Sequence, residues 1–511
     1  MRKREAAMFE TVATAQTLDA AAYEASVNDR RIRLVELQQR LRSEPCPVFI
    51  QFAGIKGAGR LQVANTLTHW MDPRWIRVQA FRTRTETERE QPPYYRYWLA
   101  LAPAGTIGLY FHAWWDTALQ KRMAGLLDDD TYNAALGRAE RFESALTADG
   151  ALLFKAWFHL SKENQKKRLA DIEDDPFQNW RVDARDWRKV DAYDDYVAAA
   201  EIGLRATSTL TAPWHLIEGS DPNHRAATGV DMFADALEAH LDERKAINKK
   251  AKKKNSVAAP PKLGKNQKSV LAGLDMSGDV SKDLFADTLK IQEARLAALQ
   301  AQAREAGVSS VLVFEGWDAA GKGGTIRHLT HGLDLRDYQV VPIAAPTDEE
   351  RAHHYLWRFW RRLGRAGTIT VFDRSWYGRV LVEWIERLID EHALQRSYGE
   401  INEFESQLAE NGAVVLKFWL HVTQDEQLKR FKKRAKVAYK QWKLTDEDWR
   451  NREQWDAYEA AVHTMVERTS TSVAPWHLIP ANSKRYARLR VVDLFIEALE
   501  RRLESDRRQR D

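Results

Sequence analysis

The sequence predicts an α/β protein made by tandem duplication of a three-layer α/β/α domain, each copy built on a parallel sheet. Two observations carry this. Segments match at one constant offset over most of the chain, and short β-branched runs alternate with longer amphipathic ones.

The offset is 262 residues. FAGIKGAGR from Phe52 and FEGWDAAGK from Phe314 share the spacing of their glycines. Gly105-Thr106-Ile107 then aligns with Gly367-Thr368-Ile369, Trp114 with Trp376, Phe142-Glu143 with Phe404-Glu405, and Lys155 with Lys417. Asp186-Trp187 aligns with Asp448-Trp449, and Ala212 to Leu216 repeats as Ala474 to Leu478. Agreement at core and turn positions without a gap is the mark of a duplicated domain. It divides the chain into residues 1–243, a linker 244–268 with KKAKKKN and AAPPKLGKNQK, and residues 269–511. The linker has the Lys and Pro content of a solvated tether.

In the second copy, VLVFE, QVVPIA, TITVFD, VVLKFWLHV and HLIP read as strands, separated by helical patterns such as 348–364. Strands alternating with helices imply a parallel sheet covered on both faces, with ligands beyond the carboxyl ends of the strands.

Size and composition agree with two domains. The chain has 511 residues, 44 % of them apolar, with 19 Trp and 18 Phe to build cores. A single cysteine, Cys46, excludes an intrachain disulfide and a cysteine-built metal site. MRKREAAMFETVATAQ lacks the apolar stretch of a secretion signal, and no run approaches a membrane span, so a soluble cytoplasmic protein with no membrane partner is expected. The net charge is only +5, so a polyanion site requires locally concentrated Lys and Arg.

Gly316 to Lys322 follows the first strand of the second copy, precedes a predicted helix at 323–332 and has the spacing of a phosphate-binding loop. Gly316, Gly321, Gly323 and Gly324 let backbone N–H groups face a phosphate, the helix start adds its dipole, and Lys322 adds a point charge. The domain is therefore expected to be P-loop kinase-like. Gly323 replaces the usual hydroxyl residue, so the metal falls to other oxygens. Asp318 and Asp373, the latter ending the third strand, are the candidate ligands, with Thr325 a further candidate. Arg374, Arg379, Arg430, Arg434, Lys440, Lys443, Lys484 and Arg488 supply the charge for a basic wall along an extended phosphate substrate.

The duplicate serves as an internal control. Asp318 becomes Lys56, Lys322 becomes Arg60, Asp373 becomes Phe111, Arg374 becomes His112, and Arg379 becomes Thr117. Arg434, Lys440, Lys484 and Arg488 become Ile172, Gln178, Pro222 and Ala226, while most tryptophans persist. The first copy is expected to be catalytically inactive. Arg430 and Lys443 persist as Arg168 and Arg181, so this contrast says less about them. Most tryptophans repeat at core positions, which argues against base stacking and a nucleic-acid partner.

FEGWDAAGKGGTI, FDRSWYGR, the acidic FES after Asn402 and KQWKLT closely resemble polyphosphate kinase family 2 across both repeats. The resemblance implies a helical lid, Mg²⁺ as cofactor, and polyphosphate with AMP or ADP as substrates. Fused two-domain members resemble polyphosphate:AMP phosphotransferases, so the AMP reaction is expected. The alternatives are phosphorylation of nucleoside diphosphates from polyphosphate and an ATP-dependent monophosphate kinase. The family's P-loop pair falls on Asp318 and Lys322, its Walker B pair on Asp373 and Arg374, and its lid residues on Arg430, Arg434, Lys440 and Lys443. Ala438 and Gly378 depart from the family pattern, which commonly has proline and asparagine there. Assembly into homo-oligomers stays open.

Overall fold

The computed structural model describes residues 7–10, 16–253, 261–264, 267–436 and 446–510. Two units emerge. The first comprises Met1–Thr83, Ala100–Asn255 and Asp348–His354, and the second Arg84–Leu99, Ser256–Thr347 and Tyr355–Asp511.

The first unit holds strands β1 (Val48–Gly54), β2 (Ile76–Gln79), β3 (Ile107–Tyr110), β4 (Leu152–His159) and β5 (Trp214–Glu218) in the order β2-β3-β1-β4-β5. The second holds β6 (Ser310–Gly316), β7 (Tyr338–Pro342), β8 (Ile369–Asp373), β9 (Val414–His421) and β10 (Trp476–Pro480) in the order β10-β9-β6-β8-β7. The two orders are the same permutation, and every pairing is parallel. The duplication and the α/β fold class are therefore as the sequence indicates.

Central strands β6 and β9 are buried almost throughout, because helices cover both faces of the sheet. The helices that matter for the site are α1 (Arg60–Trp70) and α2 (Pro222–Lys253) in the first unit. In the second they are α3 (Lys322–His331), α4 (Glu391–Glu410), α5 (Gln424–Ala435), α6 (Asp446–Glu453), α7 (Trp455–Thr469) and α8 (Lys484–Arg510). Helix α8 packs on β9 and β10 with helix Lys282–Ala306 against it, while α4 packs on β9 with α7 against it.

The five strand expectations each meet an observed strand within one or two residues, and the helix expected at 323–332 is α3. The pattern over 348–364 resolves into two short helices, Asp348–Arg351 and Trp357–Trp360. Helix α2 continues through Lys253, into the segment read as linker, since its Ala, Glu and Lys content favours helix as readily as solvation.

The second unit also contains Arg84–Leu99 from the first repeat. Within it the Glu90 carboxylate accepts from Arg365 Nε at 2.6 Å and from the Ala366 amide at 3.1 Å. Trp98 stacks on Trp360 with ring centroids 6.1 Å apart. Among the described residues no helix is long and apolar enough to cross a membrane.

Candidate active site

Strand β6 ends at Gly316, where φ is +145° and a Cβ would lie 2.4 Å from the Leu420 carbonyl oxygen, so only glycine fits. The loop then passes Ala319 at φ +61° and Gly321 at φ +113° before α3 begins at Lys322. Such left-handed residues curl a backbone so that successive N–H groups converge on an anion. The Lys322 ammonium donates to the Gly316 carbonyl at 2.6 Å.

Arg430 braces this loop from outside. Its Nη1 donates to the Ala319 and Ala320 carbonyls at 2.9 and 2.8 Å, and its Nη2 to those of Ala481 and Asn482 at 2.6 and 2.9 Å. Its Nε donates to Glu426 at 2.8 Å, so all five N–H donors of a guanidinium are engaged by protein acceptors. The sequence suggested a phosphate contact for Arg430. The structure makes it a buried strut, whereas in the first repeat the matching Arg168 is half-buried and Arg225 donates to the equivalent carbonyls of Gly219 and Ser220 at 2.7 and 3.4 Å.

Asp373 closes β8, and Arg374 follows at φ +64°, a conformation costly for a side-chain-bearing residue and typical of functional turns. Arg374 reaches Asp318 at 3.6 Å and Glu447 at 3.8 Å. Burial works against its charge, but Asp318, Glu315, Glu447 and Asp373 outweigh that and hold the guanidinium protonated. Asn451 donates to Asp318 Oδ2 at 2.8 Å and accepts from the Tyr458 hydroxyl at 3.1 Å. Glu315 is buried and accepts from Ser375 Oγ at 2.8 Å. Burial pushes its carboxyl up, and Lys322 is the strongest opposing influence. Glu315, Asp318, Lys322, Arg374 and Asn451 thus line one cleft, with Trp317 in its wall.

The residues present suit a hard divalent cation. The Asp373 Oδ2 atom stands 4.0 Å from where a Cβ on Gly323 would be, so the missing side chain leaves room beside the carboxylate. Among the described residues no three His, Cys, Asp or Glu side chains gather into a metal cage. One or two carboxylates suit a cation that brings phosphate and water oxygens of its own.

Lys484 and Arg488 stand on the first turns of α8, beside the start of α3, with Arg488 Nη2 3.1 Å from the Cβ position of Gly324. Burial, then Arg430 and Arg488, push the Lys484 ammonium down to about 8. Burial also lowers Arg488, with Arg327 and Arg430 adding to it. Crowded cations of this kind suit an anionic ligand. Thr325 is buried in the first turn of α3. Arg379 is taken up by Glu383 at 2.8 Å and lies over the Tyr355 ring, while Arg434 is half-buried in the last turn of α5. Lys440 and Lys443 lie outside the described residues.

The corresponding place in the first unit is filled by its own chain. Lys56 donates to the Arg181 carbonyl at 3.1 Å and pairs with Asp186 at 3.3 Å. His112 pairs with Asp116 at 3.2 Å. Arg225, 1 % exposed, lies across Gly59 so closely that a Cβ there would be 2.1 Å from its Nε, whereas the space at the matching Gly321 is open.

Sequence reasoning missed Glu315, Glu447, Asn451 and Tyr458. The internal control held the signal for three of them, since Glu315, Glu447 and Asn451 become Ala53, Arg185 and Lys189. Tyr458 persists as Tyr196 and gives no such signal.

A parallel sheet in this order, with a glycine loop and lysine after its first strand and an acid–arginine pair after its third, defines a P-loop phosphotransferase. The sequence model described as Polyphosphate kinase 2 matches residues 17–245 and again 279–507. The chain belongs to the polyphosphate kinase 2 family. A polyphosphate:AMP phosphotransferase of Pseudomonas aeruginosa is 44 % identical over 98 % of this chain and 100 % of its own length. One from Acinetobacter johnsonii is 33 % identical over 93 % of this chain and 96 % of its own. A crystal structure described as polyphosphate kinase 2 from Pseudomonas aeruginosa PA01 superposes with TM-score 0.86 at 43 % identity, covering 97 % of this chain and 99 % of that one.

Proposed function

We propose that the chain transfers the terminal phosphoryl group of inorganic polyphosphate to AMP, giving ADP, and that the second repeat performs the reaction. One observation carries the assignment to that repeat. Asp318, Lys322 and Arg374 meet in one cleft beside Asp373, whereas their first-repeat counterparts are Lys56, Arg60, His112 and Phe111. The acceptor is read from relatives matched over nearly their whole length, which are named for AMP.

The acceptor oxygen of AMP is already ionised at neutral pH, so the chain needs no general base, and positioning with charge neutralisation dominates. Lys322 and the loop amides grip the phosphates at the reacting centre. Arg374 faces the charge on the transferring group, and its left-handed backbone fixes where it points. Asp318 and Asp373 would hold magnesium, which when bound supplies neutralisation of the phosphate oxygens. Lys484 and Arg488 track the rest of the polyphosphate chain, and Arg434 at the end of α5 adds to the same basic wall. The first repeat supports the fold of the second and does not turn over. A single cysteine suits the reducing cytoplasm, where we place the reaction.

The test compares wild type with Lys322→Met and Asp373→Asn, given magnesium, polyphosphate and AMP without ATP. ADP formed by wild type and by neither variant supports the reading. ADP formed by both variants at the wild-type rate would remove the reaction from the second repeat.

A further inference from the structure

Beneath the turn that carries Asp373 and Arg374 lies a sealed polar network that the reaction itself does not use. Glu405 on α4 and Lys417 on β9 pair at 2.7 Å, and both side chains are 0 % exposed. Lys417 also donates to the Thr469 carbonyl at 2.6 Å and to the Tyr377 hydroxyl at 2.8 Å. Tyr377 in turn donates to Glu405 Oε1 at 2.8 Å, and Trp376 Nε1 donates to the same oxygen at 3.0 Å. Trp376 and Tyr377 belong to the short turn Trp376–Arg379, which begins two residues after Arg374.

A buried ion pair is a poor source of net stability, because desolvation cancels most of the attraction. Burial indeed drives the Glu405 carboxyl up and the Lys417 ammonium down, against their charged forms. The first repeat shows what the pair alone is for. There Lys155 and Glu143 pair at 2.6 Å, again almost fully buried, and Lys155 also donates to the Thr207 carbonyl. At the position of Tyr377, however, stands Trp115, which has no hydroxyl, and Glu143 accepts from Gln51 instead. The pair therefore goes with the fold of either repeat. The hydroxyl tether occurs only in the repeat that has Asp373 and Arg374.

We propose that Tyr377 is a positioning residue, its hydroxyl fastening the turn after β8 to the buried Glu405–Lys417 pair and so fixing Arg374 against the reacting phosphate. The proposal rests on the phosphotransfer reading above for its kinetic arm, and has a second arm that does not. Tyr377→Phe removes the hydroxyl, with its bonds to Glu405 and Lys417, and leaves the Trp376 bond to Glu405 and the ring contact with Trp476, 4.6 Å between centroids, in place. We expect kcat to fall about tenfold while KM for AMP and for polyphosphate stays within about twofold, because a misplaced group costs rate more than ground-state binding. Amide hydrogen exchange over 374–379 is expected to quicken about tenfold, the loss of about 1.4 kcal/mol of local protection. Trp115→Phe, at the matching place in the first repeat, should change neither. Wild-type kcat in Tyr377→Phe, an equal fall for Trp115→Phe, or a rise in KM that accounts for the loss would each overturn the proposal. Unchanged exchange over 374–379 would also overturn it. If wild type forms no ADP from AMP, the functional reading fails, and the exchange measurement still decides the tether.

Discussion

Asn451 donates its amide to Asp318 Oδ2 at 2.8 Å, which ties helix α6 to the aspartate of the phosphate loop. Tyr458 fixes the orientation of that amide by donating to its oxygen at 3.1 Å. Glu447 of the same helix faces Arg374 at 3.8 Å. One helix therefore touches both the candidate metal ligand and the candidate phosphate-neutralising arginine.

If Asp318 holds magnesium, removing its amide partner loosens a metal ligand. We predict that Asn451→Ala raises the magnesium concentration for half-maximal rate about tenfold, the usual scale for a group behind a metal ligand. Titrating magnesium at saturating AMP and polyphosphate measures it. An unchanged midpoint would show that Asp318 is not a ligand whose orientation matters.

Lys484 gives a pH prediction. Its pKa is lowered, chiefly by burial and then by neighbouring arginines, to about 8, so the free enzyme loses this charge as pH rises through that value. A lysine still protonated in the unfolded chain between about 8 and its ordinary value makes the fold more stable, not less, as pH rises through that window. Polyphosphate binding does the opposite, because it favours the charged lysine. We expect KM for polyphosphate to climb above pH 8 in wild type and to stay nearly flat in Lys484→Arg. Parallel profiles would exclude Lys484 from donor binding.

Arg430 should behave as a strut and not as a ligand. In Arg430→Met the carbonyls of Ala319, Ala320, Ala481 and Asn482 lose their donor, and we predict a destabilisation of about 2 kcal/mol or more, since buried unpaired carbonyls are costly. Thermal unfolding measures it. A stable Arg430→Met protein with only a raised KM for polyphosphate would return Arg430 to the phosphate path.

The first repeat is expected to contribute no turnover even when part of the site is restored. With Lys322→Met as background, Lys56→Asp and Phe111→Asp should remain inactive, because Arg225 still lies across Gly59 and Lys189 replaces Asn451. Recovered ADP formation would show that the cradle there is open to phosphate.

Much of this was legible in the sequence. The constant offset and the alternation of β-branched and amphipathic runs gave the duplicated α/β sheet. Glycine spacing located the loop, and the loss of Asp318 and Asp373 in the first copy marked them as chemical. Three things were hidden. The role of Arg430 depends on four carbonyls contributed by two loops far apart in sequence, which no motif records. Glu447, Asn451 and Tyr458 enter through helices α6 and α7, more than 120 residues beyond Asp318, and only the fold brings them to it. Glu405 and Lys417 repeat in both copies and so read as ordinary core, while the difference lies in the hydroxyl of Tyr377, a tryptophan in the other copy. Helix α2 also ran past the expected linker start, because Lys-rich segments suit helix and solvent alike.

The second repeat is proposed to move phosphate from polyphosphate to AMP. The most direct measurement is the initial rate of nucleotide formation by the purified protein with magnesium, offering AMP or ADP as acceptor and polyphosphate or ATP as donor. We expect ADP from AMP with polyphosphate alone, and no product from Asp373→Asn. ATP made from ADP while AMP stays inert would move the acceptor to diphosphates. Product appearing only when ATP is supplied would make the protein an ATP-dependent monophosphate kinase and rule out polyphosphate as the donor.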